Sequence, residues 1–322
     1  MNRRRVAITA LLLLPACLLA GCRREGAAHR KLIAILVPSE DNPFFQAEAV
    51  AAAARARALG YDVRIDVHGD DAYEQDNLID VAIASNASAL ILDNAGTDAS
   101  ISAVRRAAKA GIACFLIDRE IHASGIAKAQ IIADNVKGGE LLATRFADAL
   151  GHKGEYAELL GKESDTNARV RTRGFHNVLD RYPELVRVTA QSANWSQSEA
   201  FQRTETILQA HGDLNGIIAG NDTMALGALA AVKNARITTI KIVGFDGGPD
   251  ALAAVRAGTL DATVLQPAVK IAGMAVDEAD RFLKTGTTGE PERQFVQCEL
   301  ITKKNVDEFG QFERLKPAKA GD

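Results

Sequence analysis

The sequence is poor in the residues that usually announce chemistry. It holds one tryptophan, three methionines, four cysteines and six histidines in 322 residues, and the histidines are scattered. No His/Cys cluster has metal-ligand spacing, which excludes a zinc finger or a similar centre. Nucleophile elbows and glycine-rich phosphate loops are missing too, so the common hydrolase and nucleotide-binding signatures are excluded. Neither sign of charge dominates. The formal net charge is −3 and the pI about 6.1, and there is no basic helix, which argues against a nucleic-acid partner. No long Pro/Gly-rich linker and no low-complexity segment beyond alanine-rich helices interrupts the chain. What remains is an ordinary globular composition, 47% hydrophobic and 25% charged, in a chain long enough for two domains or one large one.

The first residues differ in kind. Arg3, Arg4 and Arg5 precede an apolar run over 6–19, followed by Leu19-Ala20-Gly21-Cys22. A basic end, a short apolar region and small residues make a secretory signal, and the run is short for a membrane span. Its ending resembles a bacterial lipoprotein signal, in which cleavage leaves the cysteine as the lipidated first residue. An ordinary signal peptide with an incidental cysteine is the alternative. The reading adopted is a leader over 1–21, lipidation at Cys22 and a polar tether over 22–30. Removing residues 1–21 takes away three arginines and no acids, so the mature charge becomes −3 − 3 = −6. Cys17 leaves with the leader. Cys114 and Cys298 sit in apolar surroundings and read as buried thiols rather than a disulfide pair.

From Lys31 onward, short apolar runs alternate with amphipathic or alanine-rich stretches. The pattern predicts strands over 32–37, 61–67, 89–92, 112–117 and 130–133, with helices between them over 45–59, 72–85 and 101–110. The alternation then repeats. Strands are expected over 156–160, 186–191, 216–219, 240–244 and 262–265, and helices over 138–150, 170–181, 196–210, 223–232, 249–257 and 269–283. One last strand is expected over 295–301. This β-α-β order implies parallel sheets covered on both faces. Two sets of five or six strands are too many for one sheet of average size, so two similar α/β lobes are expected.

Polar and aromatic residues recur just past the apolar strands: Asn42, Phe44 and Phe45 after the first, Asp118-Arg119 after Ile117, Asn221-Asp222 after Ala219, Phe245-Asp246 after Gly244, and Gln266 after Leu265. In a parallel sheet these ends face one side, where ligands bind. Each has a bland alternative: Asn221 or Asp222 can merely cap a helix, the phenylalanines can be core, Asp118 and Arg119 can be a surface ion pair, and Gln266 can sit in a turn. Together the types suit one job. Carboxylates and amides serve hydroxyl groups, and arginine's planar fork can serve two adjacent oxygens. Aromatic rings can cover the C–H faces of a small polar ring. That describes a carbohydrate or polyol site.

Five segments make the likeness specific: Asn42-Pro43-Phe44-Phe45, Ile117-Asp118-Arg119, Asp134-Asn135 through Gly138-Gly139, the Asn221–Leu229 stretch, and Val243-Gly244-Phe245-Asp246-Gly247. With them the chain, from about Lys31 to Lys303, resembles the bacterial periplasmic sugar-binding proteins of the ribose/galactose type, most of all the ribose-binding proteins. The resemblance implies a type 1 periplasmic binding protein: two Rossmann-like lobes, 31–133 plus 267–297 and 134–266 plus 298–322. Three crossings near Ala133-Asp134, Gln266-Pro267 and Gln297 would join them as a hinge. It implies that Asn42, Asp118, Arg119, Arg169, Asn221, Asp246 and Gln266 hydrogen-bond a sugar, that Phe44, Phe45 and Trp195 sandwich it, and that Phe245 lies beside it. Trp195 stands where ribose binders usually carry phenylalanine, and Asp41 precedes Asn42 where a neutral residue is usual. Both point away from ribose itself but not from the monosaccharide class.

The implied protein is a monomeric, lipid-anchored, extracytoplasmic binding protein. It would use no metal or cofactor, take a monosaccharide or polyol, and deliver it to an ABC-type permease. A sensor feeding a chemotaxis or kinase receptor is the alternative. A repressor-type effector domain would need a helix-turn-helix where this chain has its export signal. An enzyme built on Asp118 and Asp246 would need a set carboxylate separation and lacks any catalytic motif.

Overall fold

The computed structural model describes residues 31–315. The expected leader, the Cys22 lipidation site and the tether lie outside the described residues. Elements follow one another as β1 (Leu32–Val37), α1 (Pro43–Ala58), β2 (Asp62–Val67), α2 (Ala72–Ala84), β3 (Ala89–Leu92), α3 (Ile101–Lys109), β4 (Ala113–Ile117) and β5 (Ala129–Ala133). There follow α4 (Asn135–Leu150), β6 (Gly154–Leu160), α5 (Thr166–Leu179), β7 (Leu185–Ser192), α6 (Gln197–Ala210), β8 (Leu214–Ala219), α7 (Asp222–Asn234), β9 (Lys241–Val243), α8 (Pro249–Ala257) and β10 (Ala262–Leu265). The chain ends in α9 (Ala268–Thr285), β11 (Arg293–Val296), β12 (Glu299–Thr302) and a two-strand ribbon, β13 (Phe309–Gly310) and β14 (Glu313–Arg314).

The strands form two six-stranded sheets, ordered β11-β5-β4-β3-β1-β2 and β12-β10-β9-β8-β6-β7. Neighbours pair in parallel except β10 with β12. The central strands β1, β3 and β4 are buried almost throughout, as strands covered on both faces by crossover helices must be. The α/β, two-sheet reading therefore holds. The single last strand expected over 295–301 does not. It is two short strands in different sheets, because the chain leaves the first sheet after Val296 and pairs antiparallel with β10 from Glu299.

The chain passes between the sheets three times: from β5 to α4, from β10 to α9 and from β11 to β12. One hydrophobic cluster runs through the junction. It contains Phe44, Phe45 and Ile271 from the first body and Phe146, Phe245 and Cys298 from the second. Cys114 and Cys298 are both buried and unbridged. Burial pushes both thiols up to about 12, so neither is a ready nucleophile.

Local chemistry sets the helix starts that matter for the site. Asn42 caps α1, accepting from Phe44 N at 3.0 Å, with Pro43 in the first turn. Asn221 caps α7, accepting from Met224 N at 2.9 Å. Asp165 caps α5, accepting from Asn167 N at 2.8 Å. Such caps satisfy donors that a helix leaves open. They also hold each capping residue at a strand-to-helix turn. α5 lies unusually close to α4 because glycines meet there: a Cβ at Gly139 would come within 2.8 Å of the Arg171 carbonyl.

Candidate ligand-binding site

A small cavity of about 20 Å³ lies between the carboxyl ends of the two sheets. It brings together nine of the eleven residues expected to meet a ligand: Asn42, Phe44, Phe45, Asp118, Arg119, Trp195, Asn221, Asp246 and Gln266. Two expected residues are elsewhere. Arg169 is exposed, because two residues along a helix turn the side chain by about 200°, and the inward position belongs to Arg171. Phe245 is fully buried and does not line the cavity; it lies under Arg171, whose guanidinium carbon sits 4.0 Å from the ring centre. Three lining residues were not anticipated: Asp165, Asn167 and Arg171. The missed signal was an Asp165 cap. Starting the helix at Thr166 rather than 170 turns Asn167 and Arg171 inward and Arg169 outward.

Arg171 ties the second body together. Its Nε donates to Asn135 Oδ1 at 2.8 Å, and Nη1 donates to the Gly220 carbonyl at 2.7 Å and to Asp246 Oδ1 at 3.1 Å. Nη2 donates to Gln266 Oε1. Polar contacts then reach across to the first body: Asn167 Nδ2 donates to Asp118 Oδ1 at 2.9 Å, and Gln266 Nε2 donates to the same oxygen. These groups bond one another directly across the cavity.

Arg119 anchors the first body. It is almost fully buried, with its guanidinium carbon 5.1 Å from the Phe45 ring centre. Nη1 donates to Asp70 Oδ1 at 2.6 Å and to the Asn94 carbonyl at 3.0 Å. Nε lies 2.9 Å from Asp165 Oδ2 and 3.4 Å from Asp93 Oδ1. Those two are ion-pair distances, but the N–H directions miss hydrogen-bond geometry, so Nε has no directed partner.

Behind Arg119, and outside the cavity, Glu48 and Asp93 are completely buried. Both of their carboxyl groups lack a donor. Burial lifts each well above the ordinary carboxylate range; Asp93 raises Glu48 further, and Asp118, Asp165 and Asp70 raise Asp93 against the pull of Arg119, so the pair is satisfied when one carries a proton and donates to the other. Burial and the neighbouring Asp165 push Asp118 up to about 6, against the pull of Arg119 and Arg171. Burial lifts Asp222 to about 7 although Thr263 and the Gly248 N–H bond its oxygens. No cluster of His, Cys, Asp or Glu able to hold a metal ion, and no helix long and apolar enough to cross a membrane, occurs among the described residues.

Two α/β bodies joined by three crossings, with a polar-aromatic cavity between their strand ends, define a solute-binding protein. The chain belongs to the periplasmic binding protein domain family, whose model matches residues 33–288. It is 56% identical to the D-apiose import binding protein of Paraburkholderia graminis, over 89% of this chain and 92% of that one. Identity to the protein of that description from Actinobacillus succinogenes is 49%, over 90% and 94%. A ribose import binding protein of Bacillus subtilis is 33% identical, over 86% and 93%. Among solved structures, an ABC transporter periplasmic solute-binding protein from Actinobacillus succinogenes with bound D-allose superposes with a TM-score of 0.82, at 30% identity, over 87% of this chain and all of the other. The relatives are binding proteins, and this chain is a binding protein, not an enzyme.

Proposed function

We propose that the protein is the extracytoplasmic sugar-binding component of an ABC-type importer and that its ligand is D-apiose. One observation carries the class: a cavity lined by Asn42, Asp118, Asn167, Arg171, Asn221, Asp246 and Gln266, with aromatic side chains on its walls. Hydroxyl groups of a monosaccharide would take over bonds that Asp118, Asn167, Arg171, Asp246 and Gln266 make to one another. The two D-apiose import binding proteins at 56% and 49% identity support the particular sugar. The lobes would be 31–133 plus 267–297 and 134–266 plus 298–322, closing over the sugar about the three crossings. Residues 1–21 would export the chain and Cys22 would anchor it.

The test is thermal melting and calorimetry of residues 23–322 with D-apiose, D-ribose, D-allose and myo-inositol. A ligand bound only by the folded state raises the melting temperature by mass action. D-apiose is expected to give the largest shift and the tightest binding. A larger shift with another sugar would replace the proposed ligand; no shift with any, after release of prebound ligand by unfolding and refolding, would reject the sugar reading.

Closure would be reinforced outside the cavity. Lys162 Nζ, from the second body, donates to the Asp70 carbonyl at 3.0 Å and lies 3.7 Å from its carboxylate. The hydroxyls of Thr97, from the first body, and Thr166, from the second, also meet. Lys162→Ala is expected to weaken sugar binding by about three- to fivefold, the scale of a partly exposed ion pair, and chiefly through faster release. Stopped-flow fluorescence measures both rates; a change confined to association would exclude a closure latch.

A further inference from the structure

The ribbon near the end of the chain turns on Gln311-Phe312, with Phe309 paired to Arg314 and Gly310 to Glu313. Both turn residues have positive φ, 51° and 62°. Two-residue hairpin turns of that kind match the twist of the strands, but they favour Asn-Gly. A phenylalanine in that region is an outlier. Such strain persists only where the surroundings over-determine it.

The surroundings lie on both bodies. The ribbon is rooted in the second. Phe309 is buried in the cluster that holds Leu252, Val255 and Ile301. Arg314 pairs with Glu299 of β12 and with Glu308, and its guanidinium carbon lies 5.2 Å from the Phe309 ring centre. Leu315 N donates to the Glu308 carbonyl at 2.8 Å. From that root the turn carries Phe312 into the other cluster, the one that runs through the junction. Its ring meets Phe44 of α1 edge to face, with centres 5.5 Å apart and planes at 90°. Gly248, at the start of α8, gives the ring its seat: a Cβ there would come within 3.3 Å of it. Phe312 is 3% exposed yet does not line the cavity. Phe44 does, and it meets Phe45 edge to face in turn, at 5.6 Å and 84°. Three rings therefore run in series from the ribbon of the second body to the aromatic wall supplied by the first. The ribbon lies beyond the residues 33–288 that the family model matches.

We infer that the C-terminal ribbon belongs to the binding machinery: Phe312 is a positioning residue that reaches from the second body to set the angle of the Phe44 ring. An edge-to-face contact on one side of Phe44 fixes its plane and leaves the other side to the cavity. Because the contact joins the two bodies, it also favours the arrangement in which the cavity exists. Phe312 acts through Phe44, not on the ligand. This rests on the sugar site proposed above for the ligand, and adds to it a residue from outside the cavity.

A double-mutant cycle tests it. Phe44→Leu, Phe312→Leu and the pair are titrated by calorimetry with whichever of D-apiose, D-ribose, D-allose and myo-inositol the wild type binds most tightly, and melted without sugar. Phe312→Leu keeps an apolar side chain but has no ring edge. It is expected to weaken binding by about three- to tenfold, the range of an edge-to-face pair. In the Phe44→Leu background the same change is expected to cost no more than about twofold, the scatter of independent sites, because the ring it positions is gone. Phe312→Gly removes the ring and relieves the positive φ; the cycle closed with it should show the same coupling, whether or not Phe312→Leu folds. A ribbon with a purely structural role would lower the melting temperature and leave affinity alone, or cost affinity equally in both backgrounds. Either result, with sugar bound by the wild type, would overturn the positioning role and leave the sugar site standing. A wild type that binds none of the four sugars would sink the site, and the role of Phe312 with it.

Discussion

Arg171→Ala is expected to abolish measurable sugar binding, whereas Arg169→Ala, two residues earlier, is expected to leave it unchanged. Arg171 is 4% exposed. It donates to a side chain from α4, to a backbone carbonyl after β8, and to side chains that follow β9 and β10. Its removal leaves Asp246 buried without its cation, and Asn135 and Gln266 without a shared donor. Breaking a buried charged hydrogen-bond network on one side costs about 3–5 kcal/mol, or about two to four orders of magnitude in affinity. The four positions it orients would move as well, so losses beyond the network's own worth are expected. Calorimetry measures the binding, and melting by circular dichroism separates it from global unfolding. Arg171→Lys provides a folded comparison with a charge but no planar fork, and should still bind poorly. Retained binding in Arg171→Ala, or its loss in Arg169→Ala, would return the site to the residue first expected from sequence.

That pair of arginines shows where sequence reading stops. Ala168-Arg169-Val170-Arg171-Thr172-Arg173 offers an arginine at every second position, and a helix turns each toward a different side. Only the helix start decides which one faces the cavity, and the start rests on the Asp165 side chain capping Asn167 N. Strand-end residues were easier to place, because a parallel sheet aligns its carboxyl ends regardless of the details between them. Asn42, Asp118, Asn221, Asp246 and Gln266 therefore converge as expected. Phe245 follows the same rule yet misses the cavity. Its ring fills the space between Arg171 and Gly138, where a Cβ would overlap it, and so it lies under the cavity-lining Arg171 without lining the cavity itself. Glu48 gave the least warning. It lies in an alanine-rich helix that reads as plain packing, and its buried partner Asp93 comes from a strand end far away in sequence.

Those hidden acids make Arg119 the residue whose loss should cost the fold most. Five carboxyl groups surround its guanidinium: Glu48, Asp70, Asp93, Asp118 and Asp165. Burial alone would lower the Arg119 pKa, but four of these acids hold it above its ordinary range. Arg119→Met keeps the contact with Phe45 and removes the charge, so a destabilisation of about 3–5 kcal/mol is expected at neutral pH. The pH dependence has a definite sign. Glu48, Asp93 and Asp118 have raised pKa values in the folded protein, so between their ordinary range and those raised values the native state holds more protons than the unfolded chain. Stability then falls as pH rises. For Asp118 the window closes at about 6; for Glu48 and Asp93 it extends further up. Without Arg119 each of these acids loses the cation that lowers it, and the fall should steepen. Urea unfolding at pH 5 and pH 8 is expected to show a larger gap between Arg119→Met and wild type at pH 8. Adding Glu48→Gln and Asp93→Asn replaces two buried acids with neutral amides while keeping a donor and an acceptor between them, so the triple variant should recover much of the loss at pH 8 and little at pH 5. A gap independent of pH, with no recovery, would mean that Arg119 matters through its packing on Phe45 and its bond to the Asn94 carbonyl rather than as the counter-charge of the acids behind the site.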